Sequence, residues 1–269
     1  DYVIFVGGLN KSDHQDSEGA DRLGLGLPYN QDNLISALAE VNENLVVVMV
    51  SGNAVAMPWV NEVPAIVQGW YLGSETGHAL ASVIAGDVNP SGKLPFTFPE
   101  KLEDNSAHAV GEFPGEDGQV DYNESIWVGY RWHDKEKIKP LFSFGHGLSY
   151  TNFEYGKVSS DKKELTADGE ITFTVSVKNA GNREGAEIVQ LYISDLKSSL
   201  PRPVKELKGF EKVWLKPGET KEVSITIDKK ALSFFDDKKH EWIAEPGKFE
   251  ALIGASSTDI KSKTRFSLK

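Results

Sequence analysis

An α/β layer on a parallel sheet, followed by an antiparallel β-sandwich, is the architecture this sequence predicts, and three observations predict it. Residues 1–100 alternate short apolar runs with stretches of helical period, the pattern of βαβ units. From residue 151 onward only strand signals remain, separated by turns built on Pro and Gly. Between them, residues 100–150 hold no sustained period and are rich in Gly, Asp, Glu and aromatics, which reads as a long ordered connection with short strand segments.

The elements follow in order. Tyr2–Val6 and Leu45–Val50 are apolar runs that end in Gly7-Gly8 and Ser51-Gly52-Asn53, as buried parallel strands do. Between them Asn30 can cap a helix whose Leu34, Ile35, Leu38 and Val41 share one face. Ala65–Trp70 reads as a third strand, and Glu75–Ala85 as a second helix stopped by Gly86. Leu94–Phe98 can add a further strand. In the second part Ile171–Val177, Glu187–Ile193, Val223–Ile227 and Phe249–Ile253 alternate or run apolar. Turns such as Lys216-Pro217-Gly218-Glu219 and Glu245-Pro246-Gly247-Lys248 divide them. The expected boundaries are 1–105, 106–150 and 151–269.

Composition narrows the function. A chain of 269 residues has room for two cores, and 39% hydrophobic with 26% charged residues is ordinary globular usage. A formal charge of −11 argues against a nucleic-acid partner, because phosphate binding needs a concentrated basic surface. Cys is absent, which excludes disulfides, thiolate metal sites and a cysteine nucleophile. That absence fits a cytosolic or an exported bacterial protein, and a periplasmic or secreted location is the expectation. No apolar run approaches the ~20 residues that span a bilayer. The chain opens directly on a core strand without an initiator Met, so it reads as a fragment of a longer protein.

In an open parallel sheet, ligands collect at loops after the carboxyl ends of the strands. Residues 8–30 form such a loop, with Asp13, Asp16, Glu18 and Asp21 beside His14 and Arg22. Taken alone, that composition favours a solvated acidic turn. The order of residues decides otherwise: Ser17-Glu18-Gly19-Ala20-Asp21-Arg22, then Leu25, Leu27-Pro28 and Gln31, resembles the catalytic loop of glycoside hydrolase family 3. Ser51–Trp59, Gly69–Gly77 and Gly86–Pro99 resemble that family's next segments. Tyr122–Arg131 and Leu141–Thr151 are similar to its linker, and Gln190-Leu191-Tyr192 and Arg202–Phe210 to its fibronectin type III-like domain. Ordered matches across most of the chain carry far more weight than one short motif.

The resemblance implies the second half of a mainly parallel three-layer α/β sandwich, then a fibronectin type III-like sandwich. It implies a retaining β-glucosidase in carbohydrate metabolism, cellulose degradation included, with Glu18 as the acid/base. A general acid must hold a proton near neutral pH, so Glu18 is expected to be partly buried beside another carboxylate. Retention needs a second carboxyl group as nucleophile. The family carries it on an N-terminal (β/α)8 barrel of ~250 residues, for which this chain has no room. The implied partners are therefore a complementary N-terminal chain, with the barrel and the rest of the α/β sandwich, and a β-glucoside or oligosaccharide substrate.

Other residues are weighed against plainer roles. Trp59 and Trp70 are candidate walls of a sugar subsite, although strand-end Trp is often core. Asp21 and Arg22 are expected to pair and support the Glu18 loop. Glu75, at a helix start, is expected to cap. His14 and His78 lack the clustered spacing of a metal site, so neither metal nor cofactor is expected. The competing reading is a non-catalytic module that binds carbohydrate or protein as a scaffold.

Overall fold

The computed structural model describes residues 1–111 and 113–269. Two compact units divide the chain. One comprises Asp1–Val88, Phe98–Gly111 and Lys139–Leu141, the other Asn89–Thr97, Glu112–Ile138 and Phe142–Lys269.

In the first unit, β1 (Val3–Gly8), β2 (Leu45–Val50) and β3 (Ala65–Gln68) form a parallel sheet in that order. The helix α1 (Gln31–Val41) makes the crossover from β1 to β2, and α2 (Thr76–Ala85) follows β3. As the central strand β2 is covered on both faces, with Leu45, Val47, Val48 and Met49 all fully buried. This is why its sequence is apolar without alternation. The edge strand β1 differs from the expected buried strand: Tyr2, Ile4 and Val6 are exposed along one face, because no element of the described residues covers it.

The helix ends show where local signals succeed. Gly86 stops α2 in the left-handed conformation (φ +81°) that glycine adopts without strain. Asn30 also precedes α1 in a left-handed conformation. Its side chain accepts from Asn33 Nδ2 rather than capping a helix N–H, so the expected cap is absent. Of the predicted apolar face, Ile35 is fully buried while Leu34 and Val41 are exposed. The third strand is shorter than expected. Gly69 N–H adds one more bond to Met49 O, and Trp70 then leaves the sheet at φ +50°.

The Leu94–Phe98 run joins no sheet. Leu94 instead exchanges main-chain hydrogen bonds with Gly145 and His146. The connection that should hold short strands forms the helices α3 (Ser106–Ala109) and α4 (Tyr130–Glu136), with an isolated bridge between Glu116 and Gln119. Turn-rich sequence supplies no period to tell these outcomes apart.

The second unit is the antiparallel sandwich. One sheet contains β4 (Phe153–Tyr155), β5 (Ser159–Ser160), β7 (Glu170–Asn179) and β10 (Thr220–Asp228). The other runs β6 (Glu164–Leu165), β14 (Ile260–Leu268), β13 (Gly247–Gly254), β8 (Gly185–Asp195) and β9 (Glu206–Leu215). A hairpin of β11 (Phe234–Asp236) and β12 (Glu241–Ile243) stands apart. Alternation places Ile171, Phe173, Val175 and Val177 of β7 against Val189, Leu191 and Ile193 of β8 in one core. Both faces of β8 are buried, since Tyr130 packs edge-on over Tyr192 and Gln190 donates to Gly145 O and Ala255 O.

A second feature of this unit is ionic. Arg202, with a side chain only 7% exposed, reaches Asp195 Oδ2 at 3.2 Å, Glu206 Oε2 at 2.6 Å and Leu232 O at 2.8 Å. Lys205 pairs with Asp134 of α4 at 2.5 Å, and Arg131 of α4 with Glu206 at 3.3 Å. The linker helix is thereby pinned to β9.

Candidate active site

The loop that carries Glu18 begins where β1 ends. Gly8 sits at φ +137°, and a Cβ there would stand 2.0 Å from Val50 O, so only glycine permits this exit. Leu9 N–H then donates to Val50 O and continues the pairing by one residue. The loop is internally built: Asn10 N–H donates to Gln15 Oε1, Ser12 N–H to Asn10 Oδ1, and Asp16 N–H to Asn10 O. Gln15 is buried and donates to Tyr29 Oη.

Two side chains fasten the loop to the rest of the sheet end. On the near side of Glu18, Asp16 Oδ2 accepts from Gly52 N–H at 2.6 Å and from Tyr71 Oη–H at 2.8 Å. On the far side, Arg22 Nη1 donates to Ala54 O at 2.8 Å. Burial lowers the Arg22 pKa from its ordinary value, opposed by the charge of Asp16. Between these anchors the tip bends at Gly19 (φ +81°), with open space where a side chain would project. Glu18 is exposed and, among the described residues, makes no hydrogen bond or ion pair.

Several expectations change here. Glu18 lies in solvent rather than partly buried, so the described residues do not supply the apolar surroundings expected of a general acid. Asp21 and Arg22 do not pair: Arg22 turns to Ala54, and Asp21 contributes only its carbonyl, 2.9 Å from His14 Nδ1. Trp59 is fully buried and donates Nε1–H to Asp32 Oδ1 at 2.8 Å, which makes it core rather than a sugar wall. Asp32 also accepts from Leu27 N–H, so one carboxylate ties the loop end to α1 and Trp59. Trp70 is half-buried at the end of β3, edge-on to Phe98 at 6.1 Å. Glu75 makes no capping bond and pairs with His78 at 2.7 Å in solvent.

The sequence motif of the loop does not contain the partners that fasten it. Asp16, Gly52 and Tyr71 converge from the loops after β1, β2 and β3, and nothing local in the sequence links residues 16 and 71. The loop exits of a parallel sheet, as a class, were the available clue.

Comparison with known proteins places this arrangement. Residues 1–150 match the glycosyl hydrolase family 3 C-terminal domain, and residues 187–257 match the fibronectin type III-like domain. The chain belongs to glycoside hydrolase family 3. A beta-glucosidase of Bacteroides ovatus is 58% identical over 99% of this family 3 chain, which covers 36% of that protein. Thermostable beta-glucosidase B of Acetivibrio thermocellus is 50% identical over 97% of the chain and 34% of its own length. The family 3 chain thus spans about a third of the curated relatives it matches. Among solved structures, the beta-glucosidase DesR of Streptomyces venezuelae, in complex with D-glucose, superposes with a TM-score of 0.93 at 38% identity. That match covers all of this chain and 34% of DesR. The Kluyveromyces marxianus beta-glucosidase in complex with glucose gives 0.92 at 42% identity, covering 100% of this chain and 31% of its own.

Proposed function

We propose that this chain supplies the acid/base carboxylate, Glu18, of a retaining β-glucosidase acting on terminal non-reducing β-D-glucosyl residues. The nucleophilic Asp belongs to an N-terminal (β/α)8 barrel outside these residues, which is the chain's partner in forming the site. One observation carries the reading: Glu18 is exposed and without partners at the tip of a loop fastened on both sides, at the carboxyl ends of parallel strands. The uncovered face of β1 (Tyr2, Ile4, Val6) supports the same partner, since an apolar sheet face and a free strand edge call for cover. That cover would also remove water from Glu18 and supply the desolvation a general acid needs. Trp70 remains a candidate wall for the sugar ring, and export to the periplasm or beyond is the proposed location.

In the reaction the nucleophile attacks the anomeric carbon while Glu18 protonates the departing glycosidic oxygen. Glu18, now a carboxylate, then takes a proton from the water that breaks the glycosyl–enzyme ester, and the configuration is retained. Glu18→Ala separates these two duties. With the barrel present, an unactivated glucoside should slow greatly while a dinitrophenyl glucoside still forms the intermediate. Azide, which needs no deprotonation, should then accelerate turnover and give a β-glucosyl azide. Loss on both substrates without azide rescue, together with a lower melting temperature, would return Glu18 to a structural role.

A further inference from the structure

We propose that Asp16 is the positioning residue of the acid/base loop: its carboxylate, held by the Gly52 N–H and the Tyr71 hydroxyl, fixes where Glu18 meets the leaving-group oxygen. This inference rests on the reading of Glu18 above. The decisive feature is that a single oxygen, Asp16 Oδ2, accepts both bonds, at 2.6 and 2.8 Å, so it joins the loops after β1, β2 and β3 at one point. Asn53 Nδ2 lies 3.5 Å from the other oxygen, Oδ1. The main chain of Asp16 is itself held, its N–H donating to Asn10 O at 3.0 Å.

Proximity converts this anchor into control of Glu18. Only Ser17 separates Asp16 from Glu18 in this turn, so at most about 7 Å of chain lies between the anchor and the acid/base. Beyond Glu18 the chain has the freedom of Gly19, and the next fastener is Arg22. The seat for Asp16 is tight at Gly52, where a Cβ would stand 3.1 Å from Tyr71 Cε2 and 3.3 Å from Asp16 Oδ2, so both side chains would have to give by a few tenths of an ångström. Burial first, then the bond to Asp16, pushes the Tyr71 hydroxyl up to about 12, so it stays a donor at any working pH. The other loop aspartates, Asp13 and Asp21, have no side-chain hydrogen bond or ion pair among the described residues. Of the four carboxylates, Asp16 is the one held by hydrogen bonds among the described residues, and Glu18 is the one read above as the acid/base.

The test compares leaving groups in the enzyme assembled with its barrel-bearing part. Asp16→Ala should lower kcat/KM for an alkyl β-glucoside about 10- to 100-fold, the scale of an ångström-size misplacement of a reacting group. An activated dinitrophenyl β-glucoside, which needs little protonation, should lose less than about fivefold. Tyr71→Phe should show a smaller loss with the same selectivity. Asp16→Asn, whose amide oxygen can occupy the place of Oδ2, should recover part of the rate. Equal losses on both substrates, or no loss on either, would overturn the proposal. Glu18→Ala in the same assay separates the two layers. If it shows leaving-group selectivity and azide rescue while Asp16→Ala shows neither, the positioning role alone falls. If Glu18→Ala is unselective as well, both readings fall.

Discussion

Residues 9–22 and 195–208 are made of the same ingredients and reach opposite ends. The first segment contains Asp13, Asp16, Glu18, Asp21 and Arg22, the second Asp195, Arg202, Lys205, Glu206 and Lys208. In the second, Asp195, Glu206 and Arg202 are buried and mutually paired. Burial raises the Glu206 pKa, but Lys208, Arg202 and Arg131 together hold it below the usual carboxylate value. In the first segment, Asp16 is the one carboxylate that other loops hold by hydrogen bonds among the described residues, Arg22 turns to Ala54 O, and Glu18 is left exposed and unpaired. A matched set of buried charges locks the chain, whereas an unmatched carboxylate on held stems remains available to react.

The comparison is tested most severely at Arg202. Arg202→Ala strips Asp195 of its ion-pair partner and leaves Glu206 with Arg131 and Lys208 only, and breaking a buried pair from one side costs about 3–5 kcal/mol. Urea unfolding should show that loss, while turnover per folded site and its leaving-group dependence stay unchanged. A selective loss on poor leaving groups would erase the distinction between the two segments.

Trp59→Phe should cost less, about 1–3 kcal/mol, since it leaves the half-buried Asp32 Oδ1 short of a donor. A melting curve checks this, and unaltered affinity for glucosides would agree with a core role. A large rise in KM at unchanged stability would instead restore Trp59 to the sugar site.

A gentler effect is expected at His146, which stacks on Phe142. Burial first, then the charge of Lys93, holds its pKa below the ordinary 6.5, against a weaker pull from Asp259; Lys93 in turn pairs with Glu187. The unfolded chain therefore takes up the proton first as pH falls. The stability tied to neutral His146 is complete above 6.5 and is lost as pH drops from there toward the depressed folded value. His146→Gln should flatten the acid side of the stability profile measured between about pH 7 and 5. An unchanged slope would contradict it.

The smallest change belongs to the exposed pair Lys178–Glu154, 4.0 Å apart on β7 and β4. Glu154→Gln should alter stability by no more than about 0.5 kcal/mol, and still less in high salt. A loss above about 2 kcal/mol would show that exposed pairs in this sandwich behave like the Arg202 network.

Much of this was legible in the residues. The strands of the sandwich were readable because alternation is a two-residue signal, and β7 buries every second side chain as written. The βαβ order and the stop at Gly86 were readable for the same local reason. The Ser17–Arg22 motif located the loop, but not its geometry. Arg22 was expected to pair with its neighbour Asp21 and instead reaches Ala54, because adjacent side chains on a turning loop diverge while a distant carbonyl lies in range. Trp59 lies in the turn between β2 and β3 and Trp70 just past β3, and only packing separates the fully buried ring from the half-buried one.

By itself the sequence determined the class of each half, the order of the elements and the loop that bears Glu18. Those features depend on periodicity, turn chemistry and residue order within short windows. Tertiary structure alone decided which carboxylate is held and which is free. Asp16 meets Tyr71 across 55 residues of chain, and such a contact arises only when parallel strands bring their carboxyl-end loops together. It also decided that β1 keeps one apolar face uncovered, since burial is a property of neighbours and not of the strand.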